Sequence, residues 1–408
     1  MKLWLLFAPA LIYAMNLSEI ILKAQQNEIA TIDHLKSINA RNELSKTKSA
    51  YMPSISLKGG YVGLDNDSSI PIIPDESKFV SLNVDFMIYD GGKREASFRS
   101  LEHLANFAQT QFLDTKNKIA LDMITLYFSA KNINSLIDAK NSQINYVSEN
   151  LKRIDEFYKA GLCAVDEYES LNAFYHEQVA SKLELEIKLN EIKNDIELIS
   201  NESVDNFAQN VVINEPNFNE ANQNAELLKM SDQILAKKEE VDIAKSEYLP
   251  KFYLKAMYGY EKFNFPIMTV EQKDSKAIMA MFEWNIFEFG KTKKEVEIKQ
   301  YESKIAELGK SFKEKSNKID VKNLISKLNL NKAKIDADTI RLNATITSFD
   351  ATNQKYQAGL MSYNDFLSAL SRLYEARAGL NMEQNSYEIN KAKYYYLLGM
   401  DVLDEINK

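Results

Sequence analysis

The chain contains itself twice, and that duplication bounds its fold more tightly than any other feature. Tyr158-Lys159-Ala160-Gly161-Leu162 recurs as Tyr356-Gln357-Ala358-Gly359-Leu360, an offset of 198 residues (359 less 161). Tyr89-Asp90-Gly91-Gly92-Lys93 recurs as Phe287-Glu288-Phe289-Gly290-Lys291 at the same offset, and Tyr51-Met52-Pro53 as Tyr248-Leu249-Pro250 at 197. Three landmarks in one order define two copies of one unit. The first copy covers 15–200 and the second 219–400, with a short linker over 201–218 and a short tail over 401–408.

Both copies predict the same succession of elements. A helical stretch, Leu17 to Ala50 or Asn219 to Glu247, stops at a proline, which ends a helix and biases its predecessor to extended geometry. Two strands follow, at about 53–64 and 78–89 in the first copy and 250–262 and 275–287 in the second. A glycine turn leads into a very long helix, Lys93 to Tyr158 or Lys291 to Tyr356. A tip follows at 159–165 or 357–363, with Gly161 and Gly359 as left-handed terminators. A second helix returns over Asp166 to Ser200 or Asn364 to Leu398. In the first long helix Ile119, Leu126, Ile133, Val147 and Ile154 form one heptad seam. Met123, Ala130, Ile137, Ile144, Leu151 and Tyr158 form its partner, and Lys140 alone breaks the pattern. Scarce breakers, 12 Gly and 7 Pro in 408 residues, permit helices of this length. At 1.5 Å per residue each spans about 100 Å. The fold class is therefore mainly α with a small β part.

The strands alternate. Ile55, Leu57 and Tyr61 stand against Ser54, Ser56 and Lys58; Val80, Leu82, Val84 and Phe86 against Ser81, Asn83 and Asp85. The second copy repeats this with Phe252, Leu254, Ala256 and Tyr258, then Ile278, Ala280, Phe282 and Trp284. One apolar face over about 10 residues fits a transmembrane β-strand and a half-buried soluble strand alike. Lys58 and Lys255 correspond between copies, as do Asp85 and Glu283, all on the polar face. Counting equal distances from the Pro and Gly landmarks pairs Lys58 with Asp85 and Lys255 with Glu283 in a polar lumen. Four strands cannot close a barrel, and open edges are not tolerated in lipid, so membrane-spanning strands demand an oligomer; three copies supply 12 strands.

The N-terminus reads as a secretory signal peptide over 1–14: Lys2, a short apolar run from Leu3, and cleavage after Ala14 or Ala10. A net charge of −8 without a basic block argues against nucleic acid as a partner. The one cysteine, Cys163, leaves no intrachain disulfide and sits beside the first tip. No phosphate loop, nucleophile elbow or zinc spacing points to an enzyme, a cofactor or a metal. His34, His103 and His176 lie apart on predicted helices, in packed or solvated roles. The 13 methionines are scattered along the chain, which favours packing over soft-metal chemistry.

The ordered, duplicated set of Tyr-x-Pro strand starts, Gly-Lys turns and Tyr-x-Ala-Gly-Leu tips resembles the TolC-like outer-membrane efflux proteins over nearly the whole mature chain. The resemblance implies a homotrimer with a 12-stranded barrel in outer-membrane lipid and a coiled-coil α-barrel across the periplasm. It implies a passive exit duct for efflux or type I secretion. The duct docks at its tips, around Gly161, Leu162, Gly359 and Leu360, with a periplasmic adaptor (membrane fusion) protein and an inner-membrane pump. It also implies gate roles for Asp365, its counterpart Glu167, and Tyr356. A first-turn carboxylate has a capping role open to it as well. Two departures alter the closing network: Ser368 replaces a second family aspartate, and Met361 a basic residue. The rival readings are a periplasmic adaptor and a coiled-coil scaffold without a pore. The brief linker and tail imply a reduced belt around the tunnel.

Overall fold

The computed structural model describes residues 16–64, 74–162, 164–204, 207, 211–218, 224–265 and 267–407. The expected signal peptide and Cys163 lie outside these residues. In chain order the elements are α1 (Leu17–Ala24), α2 (Glu28–Ser49), β1 (Ser54–Gly63), β2 (Glu76–Tyr89), α3 (Lys93–Lys159), α4 (Val165–Ser200), β3 (Val212–Ile213), α5 (Ala225–Ser246), β4 (Lys251–Asn264), β5 (Thr269–Glu283), α6 (Lys291–Gln357), α7 (Tyr363–Leu398) and β6 (Ile406–Asn407). The long helices α3 and α6 each hold 67 residues, and the returning helices α4 and α7 each hold 36. No described helix is long and apolar enough to cross a membrane.

Two expected elements differ. The stretch from Leu17 to Ala50 is broken at Gln25–Asn27, because Asn27 caps a new helix: its Oδ1 accepts the Ala30 amide at 3.0 Å. Strand β5 begins six residues earlier than its alternation indicates and ends before Trp284. The indole of Trp284 donates instead to the Tyr248 carbonyl at 3.0 Å.

The chain forms two compact units, and the long helices contribute to both. One unit, 33–112 with 226–314, contains the antiparallel sheet β1-β2-β4-β5. Its central pairing, β2 with β4, joins the two copies. The apolar face stays bare: Ile55, Leu57, Ile278 and Phe282 are all exposed. The outer edges of β1 and β5 have no described strand beside them.

The register corrects the expected charge pairs. Lys58 stands opposite Ser81, not Asp85, and Lys255 stands opposite Met279, not Glu283. Asp85 instead faces Lys255 across the β2–β4 pairing, with Nζ 3.8 Å from the carboxylate. Glu283 faces Lys251 and accepts the Tyr253 hydroxyl at 3.3 Å. The expectation assumed that both strands of a hairpin reach the same height. They do not: β1 begins opposite Asp85 while β2 runs on to Tyr89, where β4 alone pairs with it. The resulting slip is four residues in both hairpins. An even slip changes partners and leaves each side chain on its face.

The other unit, 1–32 with 113–225 and 315–408, is helical. Its main core packs Ile119, Met123, Ile124, Phe128, Ile196, Leu328, Tyr394, Tyr395 and Leu398. The linker is tied into that core through β3, which pairs with β6 of the tail. Lys391 on α7, only 1% exposed, donates to the Ile213 carbonyl at 2.5 Å and reaches Glu388 at 2.9 Å and Glu215 at 3.4 Å. Glu388 accepts the Ile213 amide at 2.7 Å, and Glu215 accepts the Tyr387 hydroxyl at 2.6 Å. Burial, then the bond to Glu215, pushes the Tyr387 phenol up from 10.0 to about 12. An unfolded tyrosine ionises near 10, so above that pH the unfolded chain releases a proton that the folded chain keeps. Stability at this site is whole below pH 10 and is lost as pH rises towards 12. Urea titrations at pH 9 and pH 11 are expected to show a steeper alkaline loss for the native chain than for Tyr387→Phe. Equal losses would remove Tyr387 from the effect.

Candidate functional site at the helical tips

Both tips end in the same backbone motif. The Gly161 amide donates to Tyr158 at 3.0 Å and the Leu162 amide to Phe157 at 2.8 Å; Gly359 to Tyr356 and Leu360 to Lys355 repeat this at 3.0 and 2.9 Å. These paired bonds are the Schellman closure of a helix, which requires a left-handed residue. Gly161 and Gly359 supply it at φ 72° and 71°. The closure turns Leu162 and Leu360 outward, 77% and 78% exposed. Large apolar side chains held in water on rigid turns are suited to a partner protein.

Beneath the tips lies a second, separate core of Val147, Ile154, Leu171, Phe366, Leu367 and Leu370. Phe366 is its hub. Tyr146 from α3 stacks on it at 4.6 Å and Tyr356 from α6 at 4.7 Å, while Phe349 lies at 5.7 Å. The first copy repeats the stack at the same 198-residue offset, with Tyr158 on Tyr168 at 5.2 Å. Tyr356 thus joins α6 to α7, and its hydroxyl donates to Asn150 on α3 at 3.3 Å.

Sequence reasoning missed Arg153. Its guanidinium lies 5.3 Å above the Tyr356 ring, donates to the Tyr356 hydroxyl, and donates to Asn150 at 3.1 Å. The available signal was asymmetry: the matching position in the second copy is Ala351. The two return helices also start differently. Ser362 caps α7, accepting the Asp365 amide at 3.2 Å and donating to the Asp365 carboxylate at 2.7 Å. Its counterpart Ala164 offers no side-chain cap to α4. Asp365 is exposed at the mouth of that turn. Glu167 occupies the matching first turn of α4, and its side chain is outside the described residues.

Among the described residues no group of three or more His, Cys, Asp or Glu is placed to hold a metal ion. His34 packs on Phe112 at 4.9 Å and His176 on Tyr175 at 5.3 Å. His103 lies 3.8 Å from Asp232.

Duplicated long helices and a four-stranded sheet with a bare apolar face are the elements of an outer-membrane channel. The family described as outer membrane efflux protein matches residues 219–400, the stretch of the second copy. Outer membrane protein TolC of Vibrio cholerae serotype O1 is 20% identical over 417 residues, covering 96% of this chain and 93% of that protein. The outer membrane protein VceC of Vibrio cholerae superposes with a TM-score of 0.82 at 15% identity, covering 95% of this chain and 96% of that one. The Campylobacter jejuni CmeC outer membrane channel gives 0.83 at 14% identity, covering 94% and 85%. The chain is similar over nearly its whole length to TolC, and its second copy matches the outer membrane efflux protein family. It is a transport protein of the bacterial outer membrane, an exit duct with a periplasmic helical extension.

Proposed function

We propose that three copies form the duct, and that it is shut at its helical tips by the Arg153–Tyr356–Asn150 latch and opened by an adaptor and pump. The observation that carries the latch is the seating of Tyr356 between Phe366 on α7 and Arg153 on α3, one residue holding three helices. Asp365 and Glu167 ring the mouth, and Leu162 and Leu360 meet the adaptor.

Assembly is supported by what surrounds the two open sheet edges. Strand β5 leads into α6, where Ile298, Tyr301, Ile305, Leu308 and Phe312 form an exposed heptad stripe. Strand β1 follows α2, whose Ile29, Ile32, Leu35 and Ile38 are also exposed. Pairing β5 with β1 of the next copy removes the free edges and brings these stripes together. The bare sheet face then meets lipid. At its helix end Trp284, Phe287 and Phe289 supply the aromatic girdle of a membrane interface.

The test is single-channel conductance of the purified chain in a planar bilayer. At an exposed site the Arg153 contacts are worth about 1 kcal/mol per chain, so Arg153→Ala shifts the closed-to-open balance about fivefold per chain. Conductance or open probability is expected to rise. Unchanged conductance in a correctly folded variant removes the latch from the mechanism. An absence of conductance from inserted native protein removes the duct.

A further inference from the structure

The bare face of the sheet changes character along its length. Its rows nearest the helices are apolar, with Phe252 beside Phe282, Leu254 beside Ala280 and Ala256 beside Ile278. Towards the hairpin ends one row runs Tyr61, Lys78, Lys262 and Glu271 across all four strands. Lys78 shares the face of Leu82, and Lys262 that of Ala256, because an even number of residues separates each pair along its strand. With this face towards lipid, a lysine costs most at the bilayer midplane and little near the interface. The lysine row then lies at the membrane boundary remote from α3 and α6, on the extracellular side. Tyr61 stands in this row and Tyr260 in the next, where interfacial tyrosines belong.

Lys78 and Lys262 stand directly opposite each other on the central β2–β4 pairing. Like charges so placed are destabilising unless something neutralises them. The neighbouring carboxylates do this only in part. Glu76 lies 3.7 Å from Lys78, and it also accepts the Tyr61 hydroxyl at 3.3 Å and the Asn264 amide at 3.1 Å. Glu271, opposite Lys262, accepts the Tyr260 hydroxyl at 3.2 Å and lies 3.9 Å from Lys273. Three ammoniums thus share two carboxylates, and the excess positive charge stays on the row. The Lys78 ammonium rests 5.2 Å over the Tyr61 ring, which keeps it at the surface of the sheet.

We propose that Lys78 and Lys262 together bind a phosphate of the phosphorylated glycolipid, lipid A, that forms the outer leaflet of a bacterial outer membrane. Directly opposed positions hold their Cβ atoms about 4.5–5.5 Å apart, so one phosphate placed between the two ammoniums takes a charge-assisted hydrogen bond from each. It removes the repulsion that the register creates. Basic clusters at the edge of the apolar zone are the usual receptors for charged lipid headgroups. Tyr61 offers its ring to the sugar beside the phosphate. The proposal rests on the duct reading, in which the bare face meets lipid, and it gives that face a specific lipid.

The probe is lipid A carrying both phosphates, added to the full chain in detergent with EDTA, so that no divalent ion bridges lipid and carboxylate. The test protein combines Lys78→Gln with Lys262→Gln. The control combines Lys273→Gln with Lys276→Gln, which removes the same charge from the adjacent strand β5. Bound lipid is counted by native mass spectrometry, and potassium conductance is recorded in planar bilayers of phosphatidylcholine. The apparent Kd for lipid A is expected to rise about tenfold or more in the Lys78 and Lys262 variant and less than about twofold in the control. Conductance is expected to be equal in all three proteins, which shows that the variants are folded. Equal affinity in all three, equal weakening in both variants, or no binding by the native chain overturns the site. Phosphatidylglycerol bound as tightly as lipid A, with the same dependence on the lysines, overturns the choice of glycolipid. Lysine-dependent binding without conductance in any of the proteins upholds the site and sinks the duct reading instead.

Discussion

Replacing Lys391 with methionine is expected to be the most damaging single change in the helical unit, lowering stability by about 3–5 kcal/mol. The aliphatic part of the side chain is kept, so the loss is electrostatic. The ammonium satisfies the Ile213 carbonyl and is shared by the Glu388 and Glu215 carboxylates. Removing it leaves the Glu388 charge in a nearly closed site. Glu215 retains Lys332 at 3.0 Å and the Tyr387 hydroxyl, so Glu388 bears most of the cost. Adding Glu388→Leu is expected to restore part of the loss, since an apolar replacement of a whole buried pair is often neutral. Restoration stays incomplete because Glu388 also accepts the Ile213 amide. Urea unfolding measures the loss, and limited proteolysis of the linker near Ile213 locates it. A Lys391→Met protein within about 1 kcal/mol of the native chain would show that the linker is held by β3–β6 pairing and apolar contact alone.

The second large effect is expected at Gly91, where the sheet hands over to α3. Gly91 has φ 74° and Gly92 φ 84°, so both occupy the left-handed region that side chains disfavour. Their surroundings differ. A methyl group on Gly91 would lie 2.5 Å from the Ser246 carbonyl oxygen and 3.1 Å from Leu249 Cβ, while one on Gly92 meets nothing within 4 Å. Gly92→Ala therefore incurs only the backbone cost of about 1–2 kcal/mol. Gly91→Ala adds a collision with fixed backbone at the end of α5, and the two junctions must move apart. The expected readout is yield of heat-resistant, membrane-inserted protein: modestly lower for Gly92→Ala and largely lost for Gly91→Ala. Equal yields would mean that the α5 terminus gives way easily. The second copy makes the same turn with Phe289 at φ 50° in the position of Gly91. That ring is 91% exposed, so the second junction has the room that the first lacks.

Much of the tip is legible in the sequence. Tyr-x-Ala-Gly-Leu carries its own geometry, since a glycine after a long helix allows the left-handed closure and the next residue is then turned outward. Asp365 was legible as a first-turn carboxylate, and its bonds with Ser362 fill the capping role that had been left open. Arg153 was not legible. Its partner is 203 residues away, and a lone arginine on a polar helix face has no periodic signature.

The amino-acid sequence by itself determined the duplication, the long helices and their ends, and which face of each strand is apolar. Each of these rests on local propensity, a breaker residue or a repeat of fixed period, and those act over a few residues. Only the tertiary structure decided which residues meet. Asp85 pairs with Lys255 because β2 of one copy lies against β4 of the other, a contact between distant strands that no local pattern encodes. It also put Met257, Met279 and Met281 on one face of the sheet, and fastened the linker to α7 through a buried lysine and to the tail through the β3–β6 pairing. Strand register and long-range side-chain contacts follow from how whole elements pack. A one-dimensional pattern restricts those arrangements without choosing among them.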